Sequence, residues 1–174
     1  MALINKILPG YTATLWMQEA ATPTPFSIAH LSTWTGWVEE IVGTSAGGNG
    51  TTGMQVPVEA VPAFGADDAV AAYSVAGART GAKVTTQNQV TSLTVTSAWN
   101  PADVAQLQIR EDGYGGTVVR TYVVAVYDGT DTVAYAFNGM VGGLKWDLQP
   151  NAENKFEFTI HPIGGLNYGW SNNT

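Results

Sequence analysis

Hydrophobic residues along much of this chain follow the two-residue period of β-strands. The clearest run is 155–161, in which Phe156, Phe158 and Ile160 alternate with polar residues. Because successive side chains of a strand point to opposite faces, this pattern predicts one face in the core and one face in solvent. The polar positions of the run are Lys155, Glu157, Thr159 and His161.

Several other segments show a β-strand tendency. Residues 118–127 are almost all apolar and β-branched, which predicts a strand that is buried on both faces. The sequence Asp-Gly-Thr-Asp at 128–131 predicts a hairpin turn that leads into a further strand. In the Thr-rich stretch that ends at Trp99, Leu93 and Val95 alternate with threonines. Strands are therefore predicted at residues 12–18, 34–42, 83–99, 118–127, 132–141 and 155–161.

One helix is predicted directly after residue 99. Asn100 is the expected N-cap, Pro101 suits the first helical position, and Asp103 places a carboxylate near the positive helix end. An apolar stripe at helical spacing follows, and Gly113 is the expected stop. The stripe consists of Val104, Ala105, Leu107 and Ile109.

Three segments have no predicted place in a core. Residues 43–53 are mostly Gly, Ser, Thr and Asn, and the stretch from there to residue 66 contains two prolines. We therefore predict a long loop over 43–66, extended but outside the sheet. The N-terminal arm 1–10 and the polar tail 164–174 also lack a core pattern. Together the patterns predict one domain, 1–174: a mainly β, antiparallel β-sandwich or half-barrel with one short α-helix and a long loop.

The composition favours a folded protein that has no basic surface for nucleic acid. Hydrophobic residues make up 45% of the 174 residues, enough for a core, whereas charged residues make up only 12%. Seven Lys and Arg against fourteen Asp and Glu give a net charge of −7, which repels phosphate. The chain has no cysteine, and no stretch approaches the ~20 apolar residues of a membrane span. Neither a membrane anchor nor an export signal is expected.

No arrangement of residues predicts an enzyme. The two histidines, His30 and His161, have no G-x-S-x-G motif to supply a nucleophile, although Ser32 or Ser97 could meet one of them in the fold. We interpret His161 as the solvent-side residue of its strand and His30 as a loop residue. The acidic residues are dispersed along the chain, so neither a metal site nor a cofactor is expected.

Six tryptophans leave two interpretations open. Exposed, coplanar indoles on a β-sandwich would stack on sugar rings, as in a carbohydrate-binding module. Alternatively, tryptophans near strand ends lie in the core or at contacts between subunits, where tryptophan is enriched. The six are Trp16, Trp34, Trp37, Trp99, Trp146 and Trp170.

The C-terminal half carries a resemblance to a known family. The strand at 91–95 leads into Trp-Asn-Pro-Ala-Asp at 99–103 and the helix, and a β-hairpin follows. The sequence Asn-Gly-Met-Val-Gly-Gly-Leu at 138–144 then precedes a polar turn and the alternating strand at 151–160. This order resembles the tail tube, or major tail, proteins of long-tailed bacteriophages of the lambda type. The resemblance covers about residues 83–163.

The resemblance implies a structural virion protein. Six copies would form a ring, rings would stack into a hollow tube, and strands of neighbouring copies would join around the lumen. The tape measure protein and then double-stranded DNA would pass through the lumen, the DNA without specific binding. The tail terminator and the baseplate or tip proteins would be further partners. The protein would be assembled in the bacterial host cytoplasm and reside in the virion tail. The tube of a contractile-injection or type VI secretion system is the nearest alternative.

The resemblance also suggests which residues make contacts. The loop, the arm and the tail would become ordered on assembly, and the acidic net charge would keep DNA from adhering to the lumen wall. Candidate lumen-facing residues are Lys155, Glu157 and Thr159. Candidate contacts between subunits or rings are Asn49, Met54, Val58, Phe64, Asp67 and Asp68. Candidate C-terminal contacts are Tyr168 and Trp170.

Overall fold

The structure is a computed structural model that describes five stretches of the chain. These stretches are residues 12–21, 53–73, 82–127, 131–150 and 152–172. Several predictions lie outside the described residues. They concern the arm 1–10, the strand at 34–42 with Trp34 and Trp37, the first part of the loop (43–52) with Asn49, the turn residues 128–130, and His30 and Ser32.

The described residues form eight strands and one helix. The strands are β1 (Thr12–Gln18), β2 (Gly53–Val56), β3 (Ala66–Tyr73), β4 (Ala82–Val90), β5 (Leu93–Ala98), β6 (Val119–Tyr127), β7 (Asp131–Asp147) and β8 (Lys155–Asn172), and the helix is α1 (Val104–Gly115). Six strands form one antiparallel sheet in the order β2-β1-β6-β7-β8-β5, and β3 pairs with β4 in a separate two-stranded sheet. This architecture confirms the prediction of a mainly β, antiparallel fold with one helix.

The hairpin of β6 and β7 lies at the centre of the large sheet. Tyr127 pairs with Thr132 across its turn, as the sequence predicts, and β7 continues well past its predicted end at residue 141. The strand continues because a bulge near Gly143 accommodates the shift of register in the pairing of β7 with β8. Gly143 has a φ of 62°, a conformation that favours glycine. The glycines at 142–143 therefore form a bulge inside a strand.

Residues 57–65, which follow β2, connect the two edges of the large sheet. The backbone N–H of Glu59 donates to the carbonyl of Thr96 on β5 at 3.0 Å. The N–H of Thr91 donates to the carbonyl of Gly65, also at 3.0 Å. Because β2 lies at one edge of the sheet and β5 at the other, this bridging segment partly closes the sheet. The predicted half-barrel is consistent with that connection.

The main core lies between one face of the large sheet and α1. Phe156, Phe158 and Ile160 are fully buried there, as their alternation predicts, and α1 contributes Ala105 and Ile109. Burying an aliphatic or aromatic side chain stabilises the fold by about 1.5–3 kcal/mol. The helix therefore packs on the face of the sheet that carries these apolar side chains. Further members of the core are Leu15, Met17, Val56, Leu93, Val95, Tyr122, Val124, Phe137 and Val141.

The strand β6 is buried on both faces, as its composition predicts. Tyr122 and Val124 enter the main core, whereas Val123 and Ala125 are buried on the other side of the sheet. In the register, Val123 pairs with Trp16 of β1, which is also buried. The second face of the sheet is therefore shielded from solvent at these positions of β1 and β6.

The helix begins three residues later than predicted. Asp103 is the N-cap, and its side chain accepts a hydrogen bond from the N–H of Gln106 at 2.9 Å. The predicted cap, Asn100, instead stabilises a turn that precedes the helix: its side chain accepts from Ala102 at 3.0 Å. Proline is accommodated in such a turn as well as at the first position of a helix, so Pro101 does not identify the residue at which the helix starts. Asp103 and Gln106 have the spacing of a capping box, the sequence signal for the true start.

The helix also ends later than predicted. Gly113 lies within α1, which continues to Gly115 and stops where Gly116 adopts a left-handed φ of 69°. The N–H of Gly116 donates to the carbonyl of Asp112, which satisfies a helix-end acceptor. Gly113 is needed for packing: a Cβ atom there would lie 2.7 Å from Leu144 of β7. The glycine at 113 thus permits close helix–sheet contact.

Two segments predicted to lack secondary structure contain strands. The predicted loop 43–66 is wrong for Gly53–Val56, which pairs with β1 as an edge strand just before the first proline. The prediction of a tail at 164–174 is wrong up to Asn172, because β8 pairs there with the first half of β7. A third prediction, one strand over 83–99, is wrong at Thr91 and Ser92, where β4 ends and β5 begins in a different sheet.

Candidate functional site

One half of the sheet face opposite α1 is polar and open. It combines the outer residues of β5 with the first half of β8 and the second half of β7. These positions alternate with buried core residues, so the strand period places all of them on one side. We define the polar face as Thr94, Thr96, Lys145, Lys155, Glu157, Thr159 and His161.

Hydroxyl and imidazole groups on the polar face bond across strands. The Thr94 and Thr159 hydroxyls are 3.0 Å apart and lie opposite each other in the register of β5 and β8. The Ser92 hydroxyl, just before β5, lies 3.1 Å from Nδ1 of His161. Such cross-strand pairs stabilise a sheet modestly and leave one side of each group available to water. The prediction that His161 is a solvent-side strand residue is confirmed.

Two ion pairs complete the polar face. Nζ of Lys145 lies 2.7 Å from Oε1 of Glu157, its partner in the register of β7 and β8. Nζ of Lys155 lies 2.8 Å from Oε1 of Glu59, which belongs to the bridging segment. The hydrogen bond and the negative charge of Glu59 raise the pKa of Lys155. Each of the two lysines is therefore paired with a carboxylate.

A buried ion pair lies on the opposite side of the sheet, beneath α1. The Arg120 guanidinium donates to both carboxylate oxygens of Asp112, with Nη2 to Oδ1 at 3.0 Å, and the two side chains are only 5% and 3% exposed. It also donates to the carbonyl of Glu19 at the end of β1, and Gln108 donates to Asp112 at 3.0 Å. Arg120 thus joins α1, β6 and the end of β1. The bond with Asp112 raises the pKa of Arg120, and burial raises that of Tyr122 beside them.

Gln106 forms a second buried polar network at the start of the helix. Its side-chain N–H group donates to the Ser97 hydroxyl at 2.7 Å and to the Ala98 carbonyl at 2.8 Å. Its Oε1 accepts from the N–H of Asn100 at 2.8 Å. These bonds fix the helix start against the end of β5. Sequence reasoning missed both networks, because an arginine and a glutamine within a few residues of a helix give no sign that they are buried.

Of the residues predicted for a triad, the structure describes Ser97 and His161, and it does not bring these two together. Ser97 is buried on the core face of β5, whereas His161 lies on the opposite, polar face. The serine that does meet His161 is Ser92, and within the described residues their pair bonds to no carboxylate. Among the described residues, no group of three or more His, Cys, Asp or Glu residues could hold a metal ion. In the same part of the chain, no helix is long and apolar enough to cross a membrane.

The tryptophans with described side chains do not form a flat, exposed platform. Trp16 is buried, while Trp99 and Trp146 meet edge to face with their ring planes at 90°. Both rings pack on Phe156 with centroids 5.1 Å away, and Tyr114, 73% exposed, stacks on Trp146. This arrangement favours the interpretation of Trp16, Trp99 and Trp146 as residues near strand ends in or beside the core. Among the described side chains, no arrangement favours sugar binding.

The candidate contact residues lie in several different elements. Met54 is a half-buried residue of the edge strand β2, and Val58 and Phe64 of the bridging segment pack partly against the core. The Phe64 ring meets Tyr135 edge to face at 5.1 Å. The prediction that Asp67 and Asp68 lie in a loop is wrong, because both are positions in β3, opposite Gln89 and Asn88. Tyr168 and Trp170 lie in β8, opposite Tyr135 and Val133.

Comparisons with known proteins find similarity of fold without similarity of sequence. No protein-family profile and no curated protein matches the sequence. Among solved structures, the PVC sheath/tube terminator of an extracellular contractile injection system, in its extended state, has a TM-score of 0.61 at 11% identity. That match covers 95% of this chain and 99% of the other.

Tail tubes and tube caps show a similar degree of likeness. The SPP1 tail tube matches with a TM-score of 0.57 at 10% identity, covering 97% of this chain and 82% of that chain. The tube-terminating cap of the anti-feeding prophage matches with a TM-score of 0.57 at 13% identity, covering 99% and 95%. The chain therefore has the fold of tail-tube-like proteins. These neighbours come from contractile injection systems as well as a phage tail, so the narrower likeness to lambda-type tails stays a prediction.

Proposed function

We propose that this chain is the subunit of a tail tube, a non-enzymatic structural protein whose copies form stacked hexameric rings around a hollow lumen. The observation that carries this proposal is the likeness of fold, over nearly the whole chain, to the SPP1 tail tube and to a contractile-injection tube terminator. The scarcity of charged residues supports it as well, because much of such a subunit's surface is covered by other copies.

The polar face is the proposed wall of the lumen. Lys155, Glu157 and Thr159 lie on it, surrounded by threonine hydroxyls and paired charges. A wall of this kind stays wetted and has no apolar patch to which a passing chain would adhere. The net charge of −7 per subunit adds a repulsion for DNA phosphate. DNA would therefore move along the wall without specific binding.

The edge of the sheet is the proposed contact between neighbours in a ring. Within the described residues, β2 pairs only with β1, so no described strand covers its other side. Such an edge readily accepts a strand from another copy, which would continue the sheet around the lumen. Met54 lies in this strand, and Val58, Phe64, Asp67 and Asp68 lie in the elements that follow it.

Contacts along the tube and with other tail proteins complete the proposal. The arm 1–10, the predicted loop with Asn49, and the C-terminal residues Tyr168 and Trp170 would contact an adjacent ring. The lumen would hold the tape measure protein before DNA passes to the host. Terminator and baseplate or tip proteins would cover the ends of the tube. The protein would then be a virion tail component that is assembled in the host cytoplasm.

Electron microscopy of the purified protein tests the class of function. Negative-stain images and size-exclusion profiles over a range of concentrations should show six-fold rings or hollow tubes. A sharp monomer peak at every concentration, together with binding to a glycan array, would support the carbohydrate-binding alternative. Rings of another symmetry would retain the tube and contradict the hexamer.

Single cysteines test which face lines the lumen. The chain has no native cysteine, so Thr159→Cys reports on the polar face and Glu111→Cys on the exposed side of α1. In assembled tubes, both should react with a small maleimide, but only the cysteine at 111 should react with a maleimide on a large polymer. Equal reaction of both with the large reagent would contradict the lumen placement, and unassembled protein provides the control.

A further inference from the structure

We propose that Glu59 and Glu157 neutralise the two lysines of the polar face, so that this face presents no uncompensated positive charge to DNA. The inference rests on the proposed tail-tube function. It names the particular residues that keep DNA from binding to the wall. The net charge of the chain does not identify them. A lumen can be acidic on average and still retain DNA wherever a cation is free to contact phosphate.

The geometry of the lysines carries the inference. Lys145 and Lys155 are the two lysines whose side chains the structure describes, and both lie on the polar face. Each has its Nζ within 2.8 Å of a carboxylate oxygen, Lys145 on Glu157 and Lys155 on Glu59. The Lys145 side chain is 74% exposed. It would therefore reach a phosphate if its charge were not compensated.

The two carboxylates are placed by the fold. Glu157 lies directly opposite Lys145 in the register of β7 and β8. Glu59 is far from β8 in sequence, but the bond from its backbone N–H to Thr96 holds it beside the edge of β5. Asp147, opposite Lys155 in the register, adds a further negative charge close by. Each lysine is thus paired with a glutamate from a different element of the fold, Lys145 of β7 with Glu157 of β8 and Lys155 of β8 with Glu59 of the bridging segment.

Charge pairing of this kind matters for a polyanion that slides along a surface. A lysine and a glutamate in contact act on a more distant phosphate as a dipole, whose field is weak beyond the screening length of about 8 Å at physiological salt. An unpaired lysine instead releases counterions when it binds phosphate, and the effect multiplies with the number of contacts. In a ring, every copy would repeat the same two contacts.

The test removes the acids and keeps the lysines. The double variant Glu59→Gln/Glu157→Gln removes the carboxylate that contacts each lysine, with little change of shape. A matched control, Glu19→Gln/Glu111→Gln, changes the net charge equally at exposed residues outside the polar face. A rescue variant adds Lys145→Gln and Lys155→Gln to the first pair. Binding of a short DNA duplex to each assembled protein is measured by fluorescence anisotropy between 50 and 200 mM salt.

The first variant should bind DNA about tenfold more tightly than wild type at the lowest salt, with a steeper dependence on salt. The rescue variant should return to wild type. Binding no tighter than that of the charge-matched control would overturn the inference. If wild type forms no tubes, the proposed function fails independently of this inference. Wild type, the double variant, the control and the rescue variant are then compared in whatever oligomeric state they adopt. The same order of DNA affinities is expected. Circular dichroism of each variant confirms that it is folded.

Discussion

The two sides of the large sheet carry ion pairs that differ in burial and hence in what they can do. Beneath α1, the side chains of Arg120 and Asp112 are almost inaccessible, and further hydrogen bonds satisfy both. On the polar face, Lys145 and Glu157 are 74% and 35% exposed. Water can solvate either charge of the exposed pair, whereas the buried pair must remain intact. The buried pair of Arg120 and Asp112 therefore anchors the subunit, whereas the exposed pair of Lys145 and Glu157 remains available for a surface function.

The largest effect is expected from breaking the buried pair. Arg120→Met should lower the free energy of unfolding by about 3–5 kcal/mol, because Asp112 would be left as a buried, uncompensated charge. Urea denaturation followed by tryptophan fluorescence measures the change. Replacing both partners, as Arg120→Met/Asp112→Leu, removes the charge entirely and should restore most of the stability. A single variant as stable as wild type would show that the pair is not buried in solution.

An intermediate effect is expected at alkaline pH. Burial raises the pKa of Tyr122 above that of a tyrosine in the unfolded chain. Below a pH of about 10, tyrosine is protonated in both states. Above that pH the unfolded chain releases the proton while the folded protein retains it, so stability is lost as pH rises, by at most about 1.4 kcal/mol per pH unit.

The matched variant Tyr122→Phe isolates this contribution. Between pH 9 and pH 11, wild type should lose more stability than the phenylalanine variant, as measured by urea denaturation at each pH. The difference between the two proteins removes the contributions of other tyrosines and lysines. Parallel pH profiles would mean that the Tyr122 hydroxyl is reached by solvent, contrary to its burial.

The smallest effect is expected from the exposed pair. Glu157→Gln should lower the free energy of unfolding by at most about 1 kcal/mol, and the loss should shrink as salt is added. A double-mutant cycle with Lys145→Gln measures the coupling directly. A coupling as large as that of Arg120 and Asp112 would remove the distinction between the two sides of the sheet.

Local patterns predicted the parts of the fold in which each residue's neighbours along the chain decide its environment. The alternation at 155–161 correctly separated Phe156 and Phe158 from the polar face, because the strand period alone determines the two sides. The hairpin before Thr132 was likewise predictable from its turn. The helix was predicted in kind but three residues early, since Asn100 and Asp103 both have side chains that cap backbone N–H groups.

The polar face could be predicted only in part. Lys155, Glu157 and Thr159 followed from one strand, whereas Lys145 and Glu59 join them through pairing between segments far apart in sequence. The short strand at Gly53–Val56 and the long continuation of β8 were missed for the same reason. Their residues have weak patterns of their own and become strands because a partner strand supplies hydrogen bonds.

Composition and local patterns were sufficient to predict the fold class, the faces of the alternating strands, the acidic charge and the lack of cysteine chemistry. Each depends on composition or on a period that every residue shares with its nearest neighbours. By contrast, the pairing of the strands, the anchoring of the helix and the contacts between charges depend on segments that are far apart in sequence. A pair such as Arg120 and Asp112 is strong or weak according to its burial, and burial is a property of the assembled layers.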